Sequence, residues 1–449
     1  MRRLIRFPLA ALTLSLACAA GPRAPFTVPP DGQPAALVPD AALPAPTAIA
    51  FDSHNRPYVM NARDPERYGI VSTLEDGRWV DRPCLDALRA KSPGFARPGK
   101  RVPHAMGELV LDDDDALYVT LDGVLLYSTD RGEHFRAYPL PSRASSLELR
   151  VGPGPFAGPP AIAVVTEPRG TPGVRWGKLS TLAVILPEKT GDGLRLGEPV
   201  HITDRCLVAG SGGHSGGTSF AVTRDGLTHL VWAEMPDSVD GQLAVAGNPT
   251  YVGTVDRRTR RLVTRRHLVN AEPKVPDVHS RPTIAQDSAG YLHVIAGAHG
   301  QPFTYLRSLA PNDIEGGWTA ALPMAERQTY ASLVCDAGDR LHSVFRQWLP
   351  EATLGYQSKA AAAETWSPSR TLVFGALERG KSDYGIFYQR LAVDRRGNLY
   401  LAFTFWETHT ENAGVYPEAL AVSTDRGKSW RLAATAGMAE MIARPWPQR

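Results

Sequence analysis

The sequence predicts an all-β fold, a seven-bladed β-propeller of four-stranded antiparallel blades, and three observations carry that expectation. An apolar strand, an Asp/Gly turn and a second apolar strand recur along the chain, as in "PTIAQDSAGYLHVIAGA" and "QRLAVDRRGNLYLAFTFWE". The copies return at roughly 50 to 60 residues, the length that one four-stranded sheet and its turns require. The 41 glycines and 38 prolines in 449 residues break the chain too often for long helices.

From the N-terminus, "MRRLIRFPLAALTLSLACAAG" has a basic start, an apolar stretch and small residues, so residues 1–20 are expected to be a secretory leader. "SLAC" permits a lipid-modified Cys18, and the small residues permit cleavage near Ala19 or Ala20. The expected location is therefore secreted, periplasmic or anchored to the outer membrane of a bacterium. Residues 21–46, rich in Pro and Ala, are expected to form a flexible tether, and residues 47–449 a single propeller domain.

Six copies of the strand-turn-strand pattern have turn aspartates at Asp52, Asp115 or a neighbour, Asp225, Asp287, Asp336 and Asp394. A seventh, over residues 147–202, has apolar strands such as "AIAVVTE" and "LSTLAVIL" without the Asp/Gly turn. Cys84 and Cys206 stand in loop-like contexts where an oxidising compartment allows them to pair, whereas Cys335 lies in an apolar run and is expected to be a buried thiol. No CxxC occurs, which argues against a cysteine-rich metal site, and no cofactor is expected.

The formal charge of +3 includes Arg2, Arg3 and Arg6 of the leader, so the remaining chain is near neutral and nucleic acid is not an expected partner. No apolar run beyond the leader reaches the roughly 20 residues that span a bilayer, so membrane contact is expected only through a lipid on Cys18.

A blade's first strand runs down the channel wall and its second returns, so the start of one and the end of the other share a rim. His279 precedes "PTIAQ" and His299 follows "YLHVIAGA". In the next copy Tyr330 opens the first strand and Arg346 closes the second; Tyr388 stands as far before Asp394 as Tyr330 before Asp336. Glu407 and His409 leave the last copy, and His104 and His214 precede earlier first strands, where they would extend a binding cleft. Taken singly, each residue is more often structural than functional. The shared rim raises the odds of the set. His293 and His342, inside second strands, are expected to be structural.

Imidazole and phenol move protons, and a guanidinium clamps a carboxylate. Together they suit removal of a proton α to a carboxylate, which is β-elimination of a uronic-acid polysaccharide. The expected partner is accordingly an acidic polysaccharide.

"STDRGEHF" (128–135) and "STDRGKSW" (423–430) resemble the Asp box of sialidase-like propellers, which implies that Asp130 and Asp425 brace turns between third and fourth strands. The stretch from "VHSRPTIAQDSAGYLHVIAGAHG" through "TYASLVCDAGDRLHSVFR" resembles the BNR-repeat domain of propeller polysaccharide lyases, notably the ulvan lyases. That resemblance covers roughly residues 279–406. It implies that His279 and Tyr330 transfer protons, that His299 supports them and that Arg346 neutralises the substrate carboxylate, with Tyr388 and His409 as further contacts. This chain departs in having the cluster near its C-terminal end, Ser280 where asparagine is common and Ala331 where proline is common. Some such proteins also carry a structural zinc, for which the sequence nominates no ligands.

Two alternatives stand beside elimination. A sialidase-like glycoside hydrolase needs an arginine triad, a Tyr/Glu pair and an "RIP"-type motif; "NRPYV" and "SRPTI" lack the intervening apolar residue, and Glu234 and Glu407 are the obvious rim acids. A non-catalytic exported propeller would bind glycan or protein through the same face.

Overall fold

The computed structural model describes residues 26–27 and 43–443, except 45, 93, 100–106, 150, 154–155, 171–177, 192, 210–218, 240–241, 349–352, 376–385 and 406–417. The leader, His104, His214, Glu407 and His409 lie outside the described residues. The strands are antiparallel throughout, and the described helices are two short ones, Leu85–Lys91 and Thr435–Ala443.

Three sheets have four strands joined in chain order. The first holds Ala48–Phe51, Pro57–Met60, Ile70–Glu75 and Arg78–Pro83; the second holds Gly107–Leu111, Leu117–Leu121, Val124–Ser128 and Arg136–Pro139. The last holds Ile386–Val393, Leu399–Phe405, Glu418–Ser423 and Arg431–Leu432. Between them lie an eight-stranded and a nine-stranded sheet. Each divides into two units where one long strand changes partner. Leu322–Cys335 pairs with His299–Ala310 through its first half and with Arg340–Gln347 through its second, closing one unit and opening the next. Val200–Ala209 joins the two halves of the eight-stranded sheet in the same way, bringing the turnless copy into the repeat.

Burial follows position within a unit. Gly107–Leu111, Leu117–Leu121 and Val124–Ser128 are buried at every residue, as strands covered on both faces must be. Arg136–Pro139, the outer strand of that unit, has no buried residue. Apolar clusters fill the spaces between neighbouring sheets, one of them uniting Ile49, Phe51 and Val59 of the first sheet with Tyr400, Leu420 and Val422 of the last.

Asp52, Asp112, Asp287, Asp336 and Asp394 are buried carboxylates that accept backbone N–H groups from their own turns, as Asp336 does from Gly338 (2.8 Å) and Arg340 (2.9 Å). Asp112 holds this place in the second unit. Asp115 instead adopts a left-handed φ of 61° and accepts hydrogen bonds from Ser53 of the preceding unit. Ser288 and Asp339 form the equivalent clasp further along. Asp225 lies in its turn as expected: Asp225 and Gly226, with φ of 52° and 77°, are the exposed centre of a tight two-residue hairpin. First and last sheets meet through Asn55, which donates to Asp394 at 2.9 Å, and Asn61, which donates to Glu418 at 3.0 Å.

Two further expectations change. Cys84 and Cys206 are buried free thiols in separate apolar clusters, and burial pushes Cys84 up to about 12. Within the expected tether, Phe26–Thr27 forms a short strand on the outer edge of Arg370–Gly375. The two Asp boxes brace turns as expected: Ser128 donates to Asp130 and Ser423 to Asp425, each at 2.7 Å, and Trp430 is buried against Tyr356.

His293 and His342 are buried and bridge repeat positions, each with Nδ1 2.7 Å from a tyrosine hydroxyl (Tyr305, Tyr356) and Nε2 on a turn aspartate (Asp287, Asp336). Burial lowers both imidazoles below their ordinary 6.5. Burial raises Asp287 and Asp336, but their histidine bonds outweigh it and leave both lowered. The unfolded chain therefore takes up protons at a higher pH than the folded one, so this stability is present above pH 6.5 and lost as pH falls. The melting temperature is expected to drop between pH 7 and pH 4, and His293→Gln to flatten the upper part of that curve. A flat wild-type profile would contradict this assignment.

Candidate active site

The two histidines meet because glycine lets two backbones cross. A Cβ on Gly297 would sit 2.2 Å from the carbonyl carbon of Ser280, so only glycine allows the loop carrying His279 to lie against the strand end carrying His299. Their ring centroids are 4.3 Å apart. Between them sits Asp277, whose carboxylate takes Nδ1 of His279 on one oxygen and Nδ1 of His299, at 2.7 Å, on the other. Burial raises the Asp277 carboxyl, but the two histidine bonds outweigh it and hold the group well below the usual carboxylate range. An ionised Asp277 accepts, so each Nδ1 carries its hydrogen.

Tyr330 and Tyr388 share a backbone device. Their φ values are 62° and 56°, a left-handed conformation uncommon for bulky side chains. At each, the strand spends two residues where its partner spends one, between Thr329 and Ser332 and between Phe387 and Arg390. Such a bulge re-aims a side chain and is found next to functional sites. The Tyr330 ring is 5.8 Å from His279 and 6.4 Å from Tyr388. Gln389 secures the bulge by donating to the Tyr330 carbonyl.

Arg346 is paired in register with Thr329, is buried, and lies 5.3 Å from the Tyr330 ring. His279, His299, Tyr330, Arg346 and Tyr388 thus form one connected group. Other members are visible only in the structure: Asp277, Trp348 (5.3 Å from His299), and Arg63 of the first sheet, 5.0 Å over the Tyr388 ring. A hint of Asp277 exists in the sequence, an acid two residues before His279. Glu234, at the end of its strand, is buried and accepts from Trp232 (2.9 Å) and Arg265 (3.2 Å).

Asp277, His279 and His299 place one nitrogen or oxygen ligand each within 4.8 Å of the others, a donor set chemically suited to Zn²⁺; Asp52, His54 and Asp115 do so on the turn side. In the first group both Nδ1 atoms hydrogen-bond to Asp277. Chelator dialysis is expected to leave melting temperature and activity unchanged. A loss restored by Zn²⁺ would show that these residues are metal ligands.

Residues 249–445 match the model of a family described as BNR repeat-containing family members. No curated protein matches the chain. Among solved structures, similarity extends to an ulvan lyase of a new polysaccharide lyase family, at 15% identity and a TM-score of 0.36 over 47% of this chain and 52% of that one. The chain thus spans about half the length of that enzyme. The α-L-arabinanase of Penicillium chrysogenum matches at 15% identity and a TM-score of 0.39, over 72% of this chain and 94% of its own. The GH93 α-L-arabinofuranosidase of Fusarium graminearum matches at 12% identity and a TM-score of 0.41, over 72% and 93%.

Proposed function

We propose that the sheets close radially into one seven-bladed propeller and that its histidine-bearing rim cleaves a uronic-acid polysaccharide by β-elimination. Closure is supported by the hydrogen bonds from Asn55 to Asp394 and from Asn61 to Glu418, which join the two ends of the folded chain. The observation that carries the chemistry is the Asp277 carboxylate holding both imidazoles by Nδ1, beside Tyr330 and Arg346.

In this mechanism Arg346 binds the uronate carboxylate and neutralises the charge that grows as the proton α to it leaves. His279, its Nδ1–H fixed on Asp277, accepts that proton at Nε2, and Asp277 stabilises the resulting imidazolium. The C–H electrons form the C4–C5 double bond as the C4–O bond breaks, and the Tyr330 hydroxyl gives its proton to the departing oxygen. His299, held by the same carboxylate, supports the His279 ring. Hydrolysis by two carboxylates is less well supported, since Asp277 is committed to the histidines and Glu234 is engaged elsewhere. An exported chain, free or lipidated at Cys18, would meet such polymers outside the cell.

The test is ultraviolet absorbance of unsaturated uronate, using purified protein on ulvan, pectin-type and glycosaminoglycan polymers. A rise supports elimination. New reducing ends without that absorbance would favour a hydrolase, and glycan binding without any product a non-catalytic propeller.

A further inference from the structure

A buried ammonium stands between the two units that carry the candidate site. Tyr305 and Arg307 lie two residues beyond one another on the strand His299–Ala310, so both face the following unit, as Phe303 does against Phe345 at 5.9 Å. Phe345, Ser343 and Leu341 pair in register with Gly355, Gln357 and Lys359, so the side chains of Ser343, Gln357 and Lys359 face back toward Tyr305. Lys359 is only 4% exposed; its Nζ donates to the Tyr305 hydroxyl at 3.1 Å, and that hydroxyl is already held by Nδ1 of His293. Burial lowers Lys359 to about 8, and the charge of Arg307 adds to the shift. Among the described residues no carboxylate lies in ion-pair range of Lys359 or Arg307. Trp366 stands edge-on to the Tyr305 ring at 5.4 Å. Its Nε1, Arg307 Nε and Ser343 Oγ are buried donors with no hydrogen-bond partner among the described residues, beside one acceptor in the same condition, Gln357 Oε1.

We propose that this gap is a binding site for one small inorganic anion, held by Lys359, Trp366 and Arg307. A buried charge is costly unless it is paired, and the protein supplies Lys359 with a phenol alone. Water would satisfy hydrogen bonds there but would leave the charge unbalanced. Ammonium, indole and guanidinium groups only donate, and an inorganic anion only accepts, so the chemistry of the two is complementary. Bound there, the anion joins the unit of Tyr305, which carries His279 and His299, to the unit of Lys359, which carries Tyr330 and Arg346. The site does not depend on the elimination chemistry.

The test is the melting temperature of the full chain, titrated with sodium chloride or sodium sulfate at an ionic strength held constant with sodium gluconate, whose anion is too large for a buried gap. A saturable rise of about 3 °C is expected for the wild type. Saturation with chloride identifies a halide site, and saturation with sulfate alone an oxyanion site. Lys359→Met keeps the apolar stem and removes the charge, so the saturable rise is expected to disappear. Trp366→Phe removes the indole N–H and is expected to move the midpoint of the rise about tenfold toward higher anion concentration. Sulfate also stabilises proteins by exclusion from their surface, but that effect neither saturates nor depends on Lys359. No saturable rise in the wild type, or the same rise in Lys359→Met, overturns the site. If Lys359→Met does not fold, Trp366→Phe decides, and an unmoved midpoint overturns the site equally.

Discussion

Tyr330→Phe is expected to slow formation of unsaturated product by roughly 10²–10⁴-fold, the usual contribution of one positioned proton-transfer group. The substitution removes a single oxygen. The phenyl ring keeps its place 5.8 Å from His279 and beneath Arg346. A fall in kcat with unchanged melting temperature is therefore the expected pattern, and a rate near that of the wild type would remove Tyr330 from the chemistry. His279→Ala is expected to cost a similar factor. Because base and acid act in one event, the double variant should be little slower than the worse single one.

Glu108→Ala is expected to destabilise the folded chain by about 3–5 kcal/mol at pH 8, the range seen when one partner of a buried ion pair is removed. Glu108 sits on the first strand of the second sheet, accepts the backbone N–H of Leu147, and lies 3.4 Å from Arg390 on the first strand of the last. It ties together strands far apart in sequence. Burial pushes its carboxyl up to about 7 although Arg390 and Arg281 oppose the shift. Truncation leaves Arg390, itself lowered by burial, without its carboxylate. Glu108→Gln keeps the hydrogen-bonding shape and should cost less. Urea denaturation of the three proteins measures both differences, and equal stability of wild type and Glu108→Ala would show that the pair holds nothing together.

The repeat, the Asp boxes and the equivalence of Tyr330 with Tyr388 were legible in the chain because each is a local pattern: strand alternation, turn chemistry and a fixed distance to a turn aspartate. His293 and His342 were legible as structural for the same reason, being placed within strands rather than at their ends. Local pattern stops short where long-range pairing decides. Asp112 rather than Asp115 caps its turn because four consecutive aspartates compete for one register. Cys84 and Cys206 stay apart because they are packed in different cores.

The sequence by itself therefore determined the all-β class, the repeated unit and the residues at each strand end. Only the tertiary structure decided which of those ends meet. Asp277 between two imidazoles, Arg63 over Tyr388 and Arg327 beside Trp348 are contacts between strands, loops and sheets whose separation is set by packing, and periodicity does not encode packing across sheets.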